Sequence, residues 1–347
     1  MPIGTRQNAR TRSQDPNGTR RARTALLRTF DPPHTISHLL LKVVFAATTT
    51  SRPGGASAPS SLLPCCRGNC RPTPTAWQPE LMPDLQTTTV GHVRVLRLNR
   101  PERKNALTSP LGWAIVRAVG EAHADDNVRV IALTGNGDAF CSGLDLGGGD
   151  DAPPETGLSD QERTLDEKGW VGRFLLALRF DTNKPVVAGV NGAAVGLGLS
   201  LAMAADIRIA ADTARLHPGY LRAGTSPDGG LTWSLPTVVG HEAALRFLLE
   251  SRFVDADEAL RRGLVSEVAP ADQLDARLLE FCQGVAAQAP LAVRRTKRLV
   301  ARTPLVSDVG ARVIDEVRNA VAGLDSEDGQ EAVRAILEKR APQFRGR

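Results

Sequence analysis

The chain has 347 residues with 43 basic and 38 acidic side chains, a size that allows one large or two ordinary domains. Residues 1–81 hold ten Arg and one Lys against three acidic residues, whereas the other 266 residues hold 32 basic and 35 acidic ones. The longer part has no basic stripe, which argues against nucleic acid as a partner. The apolar run at 36–47 is too short and too polar to span a bilayer, so no membrane association is expected.

Residues 1–81 are predicted to be a disordered basic extension, since they are rich in Pro and Ser and have no sustained apolar period. Met82 leads directly into strand-like sequence, so we favour it as the natural start over an organelle transit peptide. The three cysteines at 65–70 lack the second half of a zinc site, and no metal is expected. Cys141 and Cys282 are isolated, which favours a reducing, cytoplasmic setting.

The next predicted elements alternate between strand and helix. A strand at 93–98 ends at the turn-prone residues 99–101, and Thr108 or Ser109 can cap a helix whose apolar residues recur to Ala122. Buried strands are predicted at 128–133 and 185–190, separated by a Gly, Asp and Pro-rich loop that begins at 147.

The second half of the chain is predicted to be mainly helical. A helix at 199–205 and a strand at 207–210 are followed by predicted helices at 232–238, 242–251, 256–262, 274–288, 291–301, 308–321 and 331–339. The pattern predicts an α/β core domain over 82–275, with parallel strands, and a C-terminal helical region over 276–347. No internal repeat is visible in the sequence.

Common cofactor motifs are absent. Gly135-x-Gly137 and Gly196-x-Gly198 both lack the third glycine of a dinucleotide fingerprint, and there is no phosphate loop, nucleophile elbow or helical His pair. Enzymes that use NAD, ATP or zinc are therefore disfavoured, and no cofactor is expected.

Two glycine-containing turns each follow a buried apolar segment, at 140–145 and at 196–198. Backbone N–H groups at such turns can converge on one oxygen, and glycine lets that oxygen come close. This is the physical requirement of an oxyanion hole. For either turn alone, tight packing is the better interpretation, since most glycine pairs merely permit close contact.

Several motifs occur in one order, at 98–107 (LNRPERKNAL), 139–146 (AFCSGLDL), 184–194 (KPVVAGVNGAA), 205–208, 259–265 and 338–344. From about 93 to 347 the chain resembles the crotonase, or enoyl-CoA hydratase/isomerase, superfamily. The resemblance implies an α/β spiral of ββα units with a C-terminal helical trimerisation region. It also implies an acyl-CoA thioester substrate, coenzyme A only as part of that substrate, and a homotrimer or hexamer.

The resemblance assigns roles to individual residues. The N–H groups of Leu144 and Leu197 would hold the thioester oxygen. Substrate or CoA contacts are implied for Arg103, Lys104, Ala106, Ser142, Gly143, Gly196, Gly198, Tyr220 and Lys339, the last from a neighbouring subunit. Asp145 and Asp206 are interpreted as structural acids that bond nearby backbone N–H groups.

One departure from the family pattern bears on the reaction. Hydratases of the family use two glutamates, and the matching positions here hold Ser200 and Tyr220, so hydration by the two-carboxylate route is in doubt. Asp228 lies where the isomerase and dehalogenase branches have an aspartate, although Pro-Asp-Gly is also a turn signature. We expect a double-bond isomerase with Asp228 as the base. Candidate pocket walls are Leu199, Leu201 and Trp233.

Three other functions stay open at this point. A hydratase could draw an acid from 160–162, and a hydrolase or dehalogenase-like enzyme could use His217 or Asp228. A non-catalytic acyl-CoA binder would keep the fold without turnover.

Overall fold

The computed structural model describes residues 83–147 and 169–347, all within one compact unit, Ala76–Arg347. The predictions for the extension at 1–81, for the acids at 160–162 and for the loop beyond 147 lie outside the described residues.

Two sheets form the core of this unit. The strands are β1 (Leu85–Val90), β2 (Val93–Leu98), β3 (Val130–Gly135), β4 (Ala139–Cys141), β5 (Val186–Val190), β6 (Ala193–Val195), β7 (Ile207–Ala211), β8 (Arg215–His217), β9 (Val254–Asp255) and β10 (Glu267–Ala269). The larger sheet has the order β1-β2-β3-β5-β7-β10, and the smaller has the order β4-β6-β8-β9. Among the strands of the described residues, only the pairs β1–β2 and β8–β9 are antiparallel, so the parallel core predicted from the apolar strands is confirmed.

The helices lie between the strands and after the last of them. They are α1 (Ser109–Ala124), α2 (Gly169–Leu175, continued by a π-helical segment, Leu176–Asp181), α3 (Leu197–Ala204), α4 (Leu231–Val239), α5 (His241–Glu250), α6 (Ala256–Arg261), α7 (Leu274–Ala286), α8 (Pro290–Arg302), α9 (Val309–Leu324) and α10 (Glu327–Glu338). The pairs β3–β4, β5–β6 and β7–β8 each place one strand in the larger sheet and the next in the smaller one. The chain therefore winds as repeated ββα units, as expected.

Local sequence explains where the main helices begin. The Thr108 hydroxyl accepts a hydrogen bond from the Leu111 amide, and a proline in the first turn of α1 needs no hydrogen-bond acceptor. Apart from Ser200, helix α3 has only apolar residues, and it is buried along its whole length because it lies at the centre of the core. It begins at Leu197, two residues earlier than predicted.

The C-terminal helices are attached to the core through α7 and α8. Helix α7 packs on the larger sheet, and the predicted domain boundary at 275/276 falls just inside it. Lys297 of α8 donates to the carbonyl oxygens of Leu178 (2.6 Å) and Lys184 (2.8 Å), and it pairs with Asp206 at 2.8 Å. Asp206 also accepts from the Val186 amide, which confirms its structural role.

Within 83–147 and 169–347, no helix is long and apolar enough to cross a membrane. The same residues contain no cluster of three or more His, Cys, Asp or Glu side chains that could hold a metal ion.

Candidate active site

The candidate site lies where three neighbouring strands end. Strand β6 is parallel to both β4 and β8, so the carboxyl ends of all three meet at one edge of the smaller sheet. The turn after β4 contains Leu144, the turn after β6 leads into Leu197, and Tyr220 follows β8. The fold thus brings together residues that are far apart in sequence.

The Leu144 N–H is free because of how its neighbours pair. The Leu107 amide donates to the Gly143 carbonyl at 2.7 Å, and the Asp145 amide donates to the Leu107 carbonyl at 2.9 Å. In this parallel bridge the N–H of Leu144 points away from Leu107. It has no acceptor among the residues that the structure describes.

The Leu197 N–H is free because Leu197 is the first residue of α3, where no preceding turn supplies an acceptor. Gly196 enables this start, since its φ of +53° and ψ of −120° suit glycine. The two turns touch: a Cβ on Gly143 would stand 2.9 Å from the Val195 carbonyl oxygen and 3.6 Å from the Leu197 nitrogen. Two unpaired N–H donors side by side can stabilise an oxygen that gains negative charge.

A hydrogen-bonded chain of three side chains begins at Ser200, in the first turn of α3. The Tyr220 hydroxyl donates to Oδ1 of Asp228 at 2.6 Å, and Oγ of Ser200 lies 2.6 Å from the Tyr220 oxygen. Ser200 and Tyr220 are buried, whereas Asp228 is exposed. Burial, with the hydrogen bond to Asp228, raises the pKa of Tyr220 and keeps the phenol protonated. The sequence identified Ser200 only as a missing glutamate, and its contact with Tyr220 required the fold.

Asp228 is held next to the first turn of α3. A Cβ on Gly229 would stand 2.8 Å from Cβ of Ser200 and 3.0 Å from Cδ1 of Leu197, so the loop backbone packs closely on α3. The prediction that Leu199, Leu201 and Trp233 form the wall of a pocket around Asp228 is wrong. Leu199 and Leu201 are fully buried in the core, and Trp233 packs on Phe180 and lines a separate cavity of about 700 Å³.

The residues proposed to contact CoA lie beside the Leu144 turn. Arg103 pairs with Asp145 at 3.1 Å and stays 47% exposed, whereas Lys104 pairs with Asp138 at 2.6 Å. The carbonyl oxygen of Ala106 accepts from Arg100 at 2.6 Å. Asp145 also accepts from the Gly147 amide, which confirms it as a structural acid, and these contacts hold its pKa below the ordinary value.

The remaining predicted residues are placed as follows. Ser142 follows β4, and its hydroxyl donates to the Arg103 carbonyl at 3.3 Å. Gly198 belongs to the first turn of α3. Lys339 caps the end of α10, exposed and with a φ of +56°.

Known proteins are similar to this chain in sequence and fold. The model of the enoyl-CoA hydratase/isomerase family matches residues 88–347. The chain belongs to the enoyl-CoA hydratase/isomerase family. It is 38% identical over 259 residues to a probable enoyl-CoA hydratase of Rhodobacter capsulatus, a match that covers 73% of this chain and 94% of the relative. It is also 32% identical to the 2,3-dehydroadipyl-CoA hydratase of Escherichia coli, over 77% of this chain and all of the relative.

A solved structure agrees with the family assignment. The chain is similar to a probable enoyl-CoA hydratase/isomerase from Mycobacterium abscessus, with a TM-score of 0.67 and 29% identity, over 76% of this chain and 100% of that one. The crotonase-like fold expected from the sequence is therefore confirmed, and the protein is an acyl-CoA enzyme of this family.

Proposed function

We propose that the protein is an enoyl-CoA isomerase in which Asp228 moves a proton along the acyl chain. The observation that carries this proposal is the hydrogen-bonded carboxylate of Asp228, on a loop that packs against the first turn of α3, where the free N–H of Leu197 lies. Ser200 and Tyr220 offer no second carboxylate. One base suffices to move a double bond, whereas the two-carboxylate route of hydration needs two.

The mechanism follows from these groups. Asp228 removes a proton from the carbon between the thioester and the double bond of a 3-enoyl-CoA, and the electrons pass into a dienolate. The N–H groups of Leu144 and Leu197 stabilise the negative thioester oxygen, and loss of one such donor costs about 3–4 kcal/mol. The protonated Asp228 returns the same proton to the far carbon. The product is an isomer, and Asp228 is again a carboxylate.

The test is turnover of a 3-enoyl-CoA by the wild-type protein and by Asp228→Asn, with product mass determined. We expect a product of unchanged mass from the wild-type protein and at least a 10²-fold lower kcat for the variant, the lower range for loss of a general base. Asp126→Asn is the matched control, because Asp126 is exposed in the loop before β3 of the larger sheet, outside the turns that follow β4, β6 and β8. Full activity of Asp228→Asn would remove Asp228 from the mechanism.

Hydration is the second candidate, because the R. capsulatus and E. coli relatives are named hydratases. Incubation with crotonyl-CoA separates the two functions, since hydration removes the enoyl absorbance and adds the mass of water. Release of a free CoA thiol would instead indicate hydrolysis. Binding of acyl-CoA without any turnover would indicate a non-catalytic binder.

We also propose that the chain assembles as a homotrimer or hexamer through its C-terminal helices. Exposed apolar residues recur on α9 at intervals of three or four, namely Val309, Val313, Val317, Val321 and Leu324. Helix α10 adds Ile336 and Leu337, which are 75% and 78% exposed. A continuous apolar stripe of this kind marks an interaction surface. Two buried free cysteines, Cys141 and Cys282, support a cytoplasmic setting.

A further inference from the structure

Ser200 and Tyr220 each have one hydroxyl hydrogen, and the acceptors around the two hydroxyls determine the direction of each hydrogen bond. The Tyr220 hydrogen serves Oδ1 of Asp228 at 2.6 Å. Oγ of Ser200 lies 2.6 Å from the Tyr220 oxygen, 3.1 Å from the Asp228 carbonyl oxygen and 3.5 Å from the Gly196 carbonyl oxygen. Ser200 therefore donates its hydrogen to the Tyr220 oxygen, the nearer acceptor, because the Tyr220 hydrogen is already donated to the Asp228 carboxylate. The chain of donation therefore runs from Ser200 to Tyr220 to Asp228.

This direction has an energetic consequence. A hydroxyl that accepts a hydrogen bond becomes a stronger donor, so Ser200 strengthens the bond from Tyr220 to the carboxylate. Both hydroxyls are buried, and the bond ends on an exposed acid. Within the described part of the chain, Oδ2 of Asp228 has no hydrogen-bond partner.

We infer that Tyr220 is a positioning residue that occupies Oδ1 of Asp228 and leaves Oδ2 as the oxygen that exchanges the proton, with Ser200 orienting the Tyr220 hydroxyl. This inference rests on the proposed isomerase function. Asp228 lies on a loop after a short 3-10 helix and has an exposed side chain. Without Tyr220 the carboxylate could rotate, and its two oxygens would become equivalent.

The activity test is a double-mutant cycle. Tyr220→Phe keeps the ring and removes the donor, and we expect kcat to fall about tenfold to a hundredfold, as for a lost hydrogen bond to a charged group, with KM nearly unchanged. Ser200→Ala should lower kcat only a few-fold, because it removes a bond between neutral groups. In the double variant the loss of kcat should be smaller than the product of the two single losses, since Ser200 contacts the Tyr220 oxygen directly. Independent, multiplicative effects, or an unchanged kcat in Tyr220→Phe, would overturn the inference.

A second test does not depend on activity, because Tyr220 is the only tyrosine in the chain. In protein with isotope-labelled tyrosine, the Cζ resonance in the NMR spectrum therefore reports this residue alone. The phenol is buried, and its hydroxyl donates to Oδ1 of Asp228 at 2.6 Å. Asp228→Asn should therefore shift the Cζ resonance of Tyr220 at neutral pH, whereas Asp126→Asn should leave it in place. An identical resonance in Asp228→Asn and wild-type protein would contradict the contact.

The two tests distinguish failure of the proposed isomerase function from failure of the positioning role of Tyr220. If Asp228→Asn retains full isomerase activity, or the wild-type protein shows none, the proposed function fails and the positioning role fails with it. If Asp228→Asn is inactive while Tyr220→Phe keeps the wild-type kcat, only the positioning role fails. Thermal unfolding of each variant shows whether a low kcat instead reflects loss of folded protein.

Discussion

Gly198 packs directly against the carbonyl oxygen of Cys141, so closely that a Cβ at position 198 would overlap that oxygen. This contact joins the first turn of α3 to the end of β4, and hence one free N–H to the other. The oxyanion site therefore requires that position 198 carry no side chain, in addition to the glycines at 143 and 196.

Gly198→Ala should destabilise the protein by about 1–3 kcal/mol, because the obstructing atom belongs to the backbone and cannot rotate away. Displacement of α3 should also lower kcat. Urea unfolding and steady-state turnover measure the two effects. The control is Gly120→Ala, which lies in α1 facing open space and should stabilise by about 0.5–1 kcal/mol. Equal stability of the two variants would contradict the packing argument.

Arg103→Ala should raise KM for acyl-CoA by up to about tenfold while changing kcat little, as expected for one charge-assisted hydrogen bond. Arg103 is held by Asp145 but keeps half of its side chain exposed, so the guanidinium is oriented and still available to a phosphate. Initial rates across substrate concentrations at low and high salt provide the measurement. Arg246→Ala, an exposed arginine on α5, should leave KM unchanged. A normal KM in Arg103→Ala would exclude the phosphate contact.

The apolar stripe on α9 predicts self-association. The double variant Val313→Glu and Val317→Glu should shift the wild-type assembly to monomer in sedimentation velocity, because two carboxylates would have to be buried without partners. Arg318→Glu adds the same charge to the neighbouring exposed position and should preserve the assembly. A wild-type protein that sediments as a monomer would contradict the self-association proposal.

The buried ammonium group of Lys184 should make the stability of the protein depend on pH. The ammonium group is buried against the carbonyl oxygens of Ala122 (2.7 Å) and Asp125 (2.5 Å). Burial, followed by the charge of Arg294, lowers the pKa of Lys184 to about 8, against roughly 10.4 when unfolded. Between these values the unfolded chain binds more protons, so this group makes stability rise with pH.

The measurement is urea unfolding of wild-type and Lys184→Met proteins from pH 7 to pH 10. As the pH rises through this window, the free energy of unfolding of the wild-type protein should increase relative to that of the variant by at most about 1.4 kcal/mol per pH unit. Lys184→Arg should show the same pH dependence of stability as Lys184→Met, because arginine does not titrate in this pH range. Parallel curves for wild-type and Lys184→Met would show that the pKa of Lys184 is not lowered.

Much of the fold could be predicted from local sequence. The cap at Thr108 and the apolar period to Ala122 indicated α1, and apolar runs indicated β3 and β5 to within a few residues. Strands β4, β6 and β8 were not predicted, since three residues are too few to show a period of two. These short strands bring the candidate site together, and the ββα repeat was invisible in the sequence for the same reason.

The sequence by itself determined the family, the two glycine turns and the absence of glutamate at Ser200 and Tyr220, because these are properties of residue type and order. The tertiary structure decided which groups touch. It linked Ser200, Tyr220 and Asp228 in one hydrogen-bonded chain, and it left Asp228 exposed while Leu199 entered the core. Side-chain contacts between residues 20 and 28 positions apart depend on how α3 and the later loop pack, and no local pattern contains that information.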